Sequence, residues 1–217
     1  MHNLRFAGPA GQLEAVLNQG APGARFAALV CHPHPVFGGN LHNKVAYHAM
    51  KVLNDPTWGL GCPVLRFNFR GTGLSEGMHH GIAETGDVLA GMDWLDREFR
   101  LPLIVAGFSF GAAMALRACS LPGPPQRNVS ALIAFGLPTT TQGPAYQYAF
   151  LKDLVIAKLF LSGDCDQFAP VGQLTQVAAF AADPKRLILI PGADHFFTDR
   201  LEAMQQALAG WLKEQWP

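Results

Sequence analysis

The sequence predicts an α/β fold: a mostly parallel central sheet of about seven to eight strands with helices on both faces. Three observations predict it. Short apolar runs of strand length alternate along the chain with stretches of helical pattern. The segments carrying reactive side chains follow those runs, at the carboxyl ends where sites form in such sheets. The chain has 217 residues, 49% hydrophobic and 15% charged, which suits one compact core spanning 1–217 as a single domain.

Leu4 to Phe6 and Leu13 to Leu17 flank a Gly-Pro-Ala-Gly turn, so the chain opens with a β-hairpin. Phe26 to Cys31 reads as a buried strand. A helix over about Asn43 to Leu53 leads to a strand over Pro63 to Phe69. A second helix, Thr85 to Phe99, precedes the strand Leu103 to Ala106, and helix formers run from Ala112 to Ala118. Ala131 to Phe135, Lys158 to Leu161 and Leu187 to Ile190 are the remaining strands. Helical patterns cover Val171 to Ala181 and Thr198 to Trp211.

Sixteen basic residues balance sixteen acidic ones without a long basic run, which argues against nucleic acid or an anionic membrane as a partner. The first residues lack a signal-peptide stretch, and no apolar run approaches membrane-spanning length. Cys31, Cys62, Cys119 and Cys165 lie far apart with no Cys-x-x-Cys pair, and the expected setting is a reducing cytoplasm.

Gly107-Phe108-Ser109-Phe110-Gly111 stands between an apolar run and a helix. That is the strand, tight turn and helix of a nucleophile elbow, which lifts a serine hydroxyl above the sheet. The residues two before and two after the serine must be small, because strand and helix pass close together there. A serine hydroxyl becomes a good nucleophile only when a base takes its proton and an acid orients that base. His195 is the one histidine after Ser109; the other seven lie at or before position 80. Three acids compete. Asp194 adjoins His195, and adjacent side chains on an extended loop point apart. Asp164 and Asp166 share the loop after one strand. Asp166 stands four before Pro170, the expected first residue of the next helix, and is favoured; Asp164 fits a bracing role in the turn.

The tetrahedral intermediate of acyl transfer needs N–H donors. The Phe110 amide directly follows the nucleophile. In His32-Pro33-His34-Pro35 the prolines have no N–H, which leaves His34 as the second donor. His32-x-His34 read instead as a metal pair does not close a site, and no metal or other cofactor is expected. His32 is expected to brace the loop, Asn43 and Lys44 to brace it or cap the next helix, and Arg70 to tie to neighbouring loops. His79 and His80 receive no role.

Together these segments resemble the α/β-hydrolase family over nearly the whole chain, in which nucleophile, acid and histidine follow in that order. His32-Pro33-His34-Pro35 with Gly38-Gly39 and Asn43-Lys44, then Arg70-Gly71-x-Gly73-x-Ser75-x-Gly77, then the elbow, resemble a group of small bacterial carboxylesterase-like hydrolases. The resemblance implies a Ser109-Asp166-His195 triad and little or no lid. The interval 136–157, where many relatives insert a cap, is too short for one and is expected to hold a loop and one helix around Tyr146 to Leu154. Asp194 and His42 depart from the family pattern outside the triad. Phe37, Phe108, Phe168 and Phe196 flank the site as candidate pocket residues. The implied reaction is hydrolysis of a small, apolar carboxylic ester through an acyl-enzyme. The alternatives are a peptidase, amidase or thioesterase with the same triad, and a binding module that keeps the fold. The sequence leaves the oligomeric state open.

Overall fold

The computed structural model describes residues 1–121 and 128–217. Its strands are β1 (His2–Gly8), β2 (Gly11–Asn18), β3 (Ala27–Cys31), β4 (Val64–Phe67), β5 (Leu103–Phe108), β6 (Val129–Phe135), β7 (Ala157–Gly163) and β8 (Lys185–Ile190). They form an eight-stranded sheet in the order β1-β2-β4-β3-β5-β6-β7-β8. The β1–β2 hairpin and the β2–β4 pair are antiparallel, and every pairing from β4 to β8 is parallel. The helices are α1 (Lys44–Asn54), α2 (Thr85–Phe99), α3 (Phe110–Ser120), α4 (Val171–Phe180) and α5 (Leu201–Gln215).

Alternation along the strands divides the core in two. Leu103 and Val105 of β5 join the cluster under α2, α3 and α4, whereas Ile104, Ala106 and Phe108 join the one under α1 and α5. The central strands β3 to β6 are buried on both faces, as the near-continuous apolar runs require.

Three local expectations are corrected. The helix expected from Thr198 begins at Leu201, because Phe197 and Asp199 take positive φ of 53° and 55° and the chain is still turning. The helix expected around Tyr146 to Leu154 is replaced by two 3-10 turns, Pro144–Tyr146 and Ala149–Lys152, separated by extended Gln147. Pro170 is the N-cap of α4 rather than its first helical residue, with ψ of 136°. The segment between β6 and β7 thus holds only these two turns in place of a folded cap. Among the described residues no helix is long and apolar enough to cross a membrane.

Candidate active site

Ser109 sits between β5 and α3 with φ 56° and ψ −119°, a region that L-residues avoid. The surroundings over-determine that conformation. Its amide donates to Phe135 O at 2.9 Å, and its carbonyl accepts from the amides of Ala112 and Ala113 in the first turn of α3. The flanking glycines are sterically required: a Cβ on Gly107 would lie 2.3 Å from Gly111 O, and one on Gly111 2.4 Å from His32 O. The close approach of strand and helix read from the sequence is therefore present.

β7 and β8 end in register, Gly163 beside Ile190, and their loops cross immediately afterwards. The Cys165 amide donates to Ala193 O at 3.0 Å, and a Cβ on Gly163 would stand 2.0 Å from that same oxygen. Asp164 braces this crossing, its Oδ1 accepting from Gly192 N at 2.7 Å. Asp194 turns away into its own loop, where Oδ1 accepts the amides of Phe196 and Thr198.

Asp166 points inward and is only 3% exposed. Its Oδ1 accepts the amides of Phe168 and Ala169 at 2.8 and 3.1 Å; its Oδ2 accepts Ser162 Oγ–H at 3.1 Å and lies 2.8 Å from His195 Nδ1. A carboxylate can only accept, so Nδ1 of His195 carries the proton and Nε2 presents a lone pair. That Nε2 is 3.0 Å from Ser109 Oγ. The imidazole is held by the rings of Phe108, Phe168 and Phe196, with centroids at 4.8, 4.7 and 5.2 Å. The structure thus brings Ser109, His195 and Asp166 together from three loops, and leaves Asp164 and Asp194 outside. Ser162, which holds Asp166, was not singled out in the sequence; its one signal is its place at the end of the strand that delivers the acid.

The loop after β3 is braced by His32, which is fully buried. Pro33 O lies 2.6 Å from Nδ1 and can only accept, so Nδ1 carries a proton; Nε2 accepts from Phe69 N at 3.0 Å. Both nitrogens are engaged, and neither offers a metal a lone pair. Burial pushes the pKa of His32 down to about 3, the nearby His34 and His79 adding to the effect while the Pro33 bond opposes it. His34 caps a 3-10 turn, Pro35–Phe37, through Nδ1, which accepts from Val36 N at 3.2 Å. Burial and His79 lower its pKa also. The Phe110 amide occupies the first position of α3, where a helix N–H has no intrahelical acceptor. Asn43 caps α1 through Oδ1, accepting from Val45 N and Ala46 N. Arg70, expected to tie to neighbouring loops, instead grips Asp87 of α2 with its side chain and its own amide.

A cleft of about 300 Å³ opens over Ser109 and His195. Phe37, Phe168 and Phe196 line it as expected, and His34 shares its wall. Phe108 does not. As the last residue of β5 it points into the α1/α5 side of the core, fully buried beneath His195, so it supports the imidazole and contacts no substrate space. Pro138, Thr141 and Tyr146, which the sequence did not mark, complete the opposite wall. They belong to the segment after β6, at the same carboxyl edge of the sheet. That segment is tied to the acid loop where Phe168 O accepts the amides of Thr139 and Thr140, and to α3 where Arg117 donates to Pro144 O.

An elbow serine on a mostly parallel sheet, under an open cleft, defines the class of α/β serine hydrolases. The chain belongs to the alpha/beta hydrolase domain family, which matches residues 47–211. It is 32% identical over 220 residues to an uncharacterized protein of Rickettsia prowazekii, covering 98% of this chain and 89% of that one. Among solved structures it is similar to an alpha/beta serine hydrolase without lid from Xanthomonas campestris, at 29% identity and TM-score 0.85, covering 100% of this chain and 95% of the other. An esterase of Pyrococcus furiosus, 16% identical with TM-score 0.79 over 100% of this chain and 91% of its own, shares the fold.

Proposed function

We propose that the protein hydrolyses small carboxylic esters through a Ser109-Asp166-His195 triad. The observation that carries this is the unbroken chain from Asp166 Oδ2 to His195 Nδ1 at 2.8 Å and from His195 Nε2 to Ser109 Oγ at 3.0 Å. Ser109 Oγ attacks the ester carbonyl while its proton passes to Nε2. The imidazolium that forms is stabilised by the Asp166 carboxylate. The amides of Phe110 and His34 donate hydrogen bonds to the tetrahedral oxyanion. Collapse breaks the bond to the alkoxide, which leaves as the alcohol with the proton from Nε2. Water, deprotonated by the same Nε2, then attacks the acyl-enzyme, and a second collapse returns the proton to Ser109 and frees the acid.

The cleft supports an apolar substrate. Phe37, Pro138, Tyr146, Phe168 and Phe196 form its walls, with no Asp, Glu, Lys or Arg among the described residues that line it. A peptidase that reads a terminal amine or carboxylate needs such a charge, so the ester reading is preferred over it. Turnover of p-nitrophenyl acetate, butyrate, octanoate and palmitate by wild type and Ser109→Ala tests the reading. Turnover of the short esters, reduced at least about 10⁴-fold in the variant, is expected. Wild-type turnover no faster than that of the variant on every ester would overturn it.

A further inference from the structure

We propose that His79, which lies against the buried carboxylate of Glu84, is a positioning residue for the amides of His34 and Phe110; the proposal rests on the ester-hydrolase reading above. Neither residue takes part in the proton relay, and both come from the loop that leads into α2. Glu84 is fully buried. Its Oε1 accepts from His80 N at 2.7 Å and its Oε2 from Gly81 N at 2.9 Å, so the carboxylate folds the loop around itself. His79 Nδ1 lies 3.0 Å from Oε1 without the alignment of a hydrogen bond, so the carboxylate sits against one edge of the ring.

What the ring faces is the pair of residues assigned to the oxyanion. His79 packs edge-on against His34, with centroids 4.7 Å apart at 61°, and against Phe110 at 5.6 Å and 65°. His34 in turn packs on Phe110 at 4.9 Å. The three rings close a triangle, with His79 as the only corner outside the two donor residues. The other sides of the triangle are already fixed. Phe110 rests on Phe69, whose amide is held by His32. The His34 carbonyl accepts from Phe37 N and Gly39 N, and its Nδ1 from Val36 N. Without His79, the rings of His34 and Phe110 lose the third ring of the triangle, and the spacing of the two amides rests on those other anchors alone.

Preorganised donors matter where charge develops, so a drift of tenths of an ångström acts on the transition state and leaves substrate binding nearly untouched. The experiment compares wild type, His79→Ala, His79→Phe and Glu84→Gln, each checked for an unchanged urea midpoint. It reads kcat and KM on p-nitrophenyl butyrate, together with Ki for butylboronic acid, which adds to serine as a tetrahedral anion. The expected result for His79→Ala is a kcat lower by about 10- to 100-fold with KM within about two-fold, and a Ki weaker by a matching factor. Glu84→Gln is expected to move the same way by a smaller factor, and His79→Phe, which keeps the packing, to recover most of the loss. Ki is the discriminating readout, because a partly misfolded preparation lowers kcat without changing an affinity. Should His79→Ala not fold, His79→Asn carries the same comparison. A kcat and boronate Ki within two-fold of wild type would overturn the proposal. If wild type turns over no ester while Ser109-dependent boronate binding persists, the ester reading fails by itself, and the Ki comparison still decides the role of His79.

Discussion

His32 makes a prediction that can be worked from its environment. The residue is buried and neutral, with a proton on Nδ1 donated to Pro33 O and Nε2 accepting from Phe69 N. Protonating Nε2 in the fold would place a charge in the core and set an N–H against the Phe69 amide. Hence its pKa falls from 6.5 to about 3. Unfolded, the imidazole takes up its proton near its ordinary value. Between the two pKa values the unfolded chain therefore binds more protons than the native one, and stability drops as pH falls. The slope approaches about 1.4 kcal/mol per pH unit, which gives a loss of about 2 kcal/mol from pH 7 to pH 5 and about 3 kcal/mol by pH 4 from this one residue. His32→Gln keeps a donor and an acceptor at the site but cannot titrate. Urea unfolding followed by tryptophan fluorescence at these pH values, for wild type and His32→Gln, reads the difference. The variant is expected to start less stable and to lose about 2 kcal/mol less on acidification to pH 5. Parallel pH profiles for the two proteins would refute the assignment of a neutral, doubly engaged His32.

Two further predictions concern the acid and the elbow. Asp166→Asn is expected to lower kcat by about 10⁴-fold, because the amides of Phe168 and Ala169 keep the side-chain oxygen, the NH2 then donates to His195 Nδ1, and the ring proton moves to Nε2, whereas Asp194→Asn, which keeps the Oδ1 acceptor for Phe196 N and Thr198 N, leaves kcat within a few-fold. Steady-state kinetics on p-nitrophenyl butyrate separate them; equal losses would mean that the acid has been misassigned. Gly111→Ala would drive a methyl to 2.4 Å from His32 O and 2.5 Å from Cys31 O, so a loss of stability of about 2 kcal/mol or more is expected in urea unfolding, and an unchanged midpoint would contradict the close packing of α3 on β3.

The buried strands were legible because central parallel strands are apolar on both faces, so Leu103 to Ala106 and Ala131 to Phe135 stand out as unbroken runs. The hairpin was legible from its Gly-Pro-Ala-Gly turn. Boundaries were less so: the start of α5 depends on Phe197 and Asp199 adopting positive φ, a conformation that Asp tolerates but that a bulky Phe does not announce. Tyr146 to Leu154, between β6 and β7, reads as a helix within a loop, yet the segment is tied to Arg117 at Pro144 and to Phe168 at Thr139 and Thr140 and holds 3-10 turns instead.

At the site, the sequence by itself determined the candidate parts and their order along the chain. The serine in its Gly-x-Ser-x-Gly frame, the lone downstream histidine and the proline-flanked His34 are local features, set by what each residue can and cannot do covalently and sterically. The spacing to Pro170 favoured Asp166, and the tertiary structure supplies the reason that this carboxylate faces the histidine. Asp164, Asp166 and Asp194 have the same functional group within thirty-one positions of chain, and only the crossing of the β7 and β8 loops, at Gly163 and Ala193, sends one inward and leaves the other two bracing turns. It also decided that Phe108 supports the imidazole rather than lining the cleft, and that Pro138, Thr141 and Tyr146 do line it. Direction of a side chain is a property of backbone placement relative to distant strands, which neighbouring residues bias but do not fix.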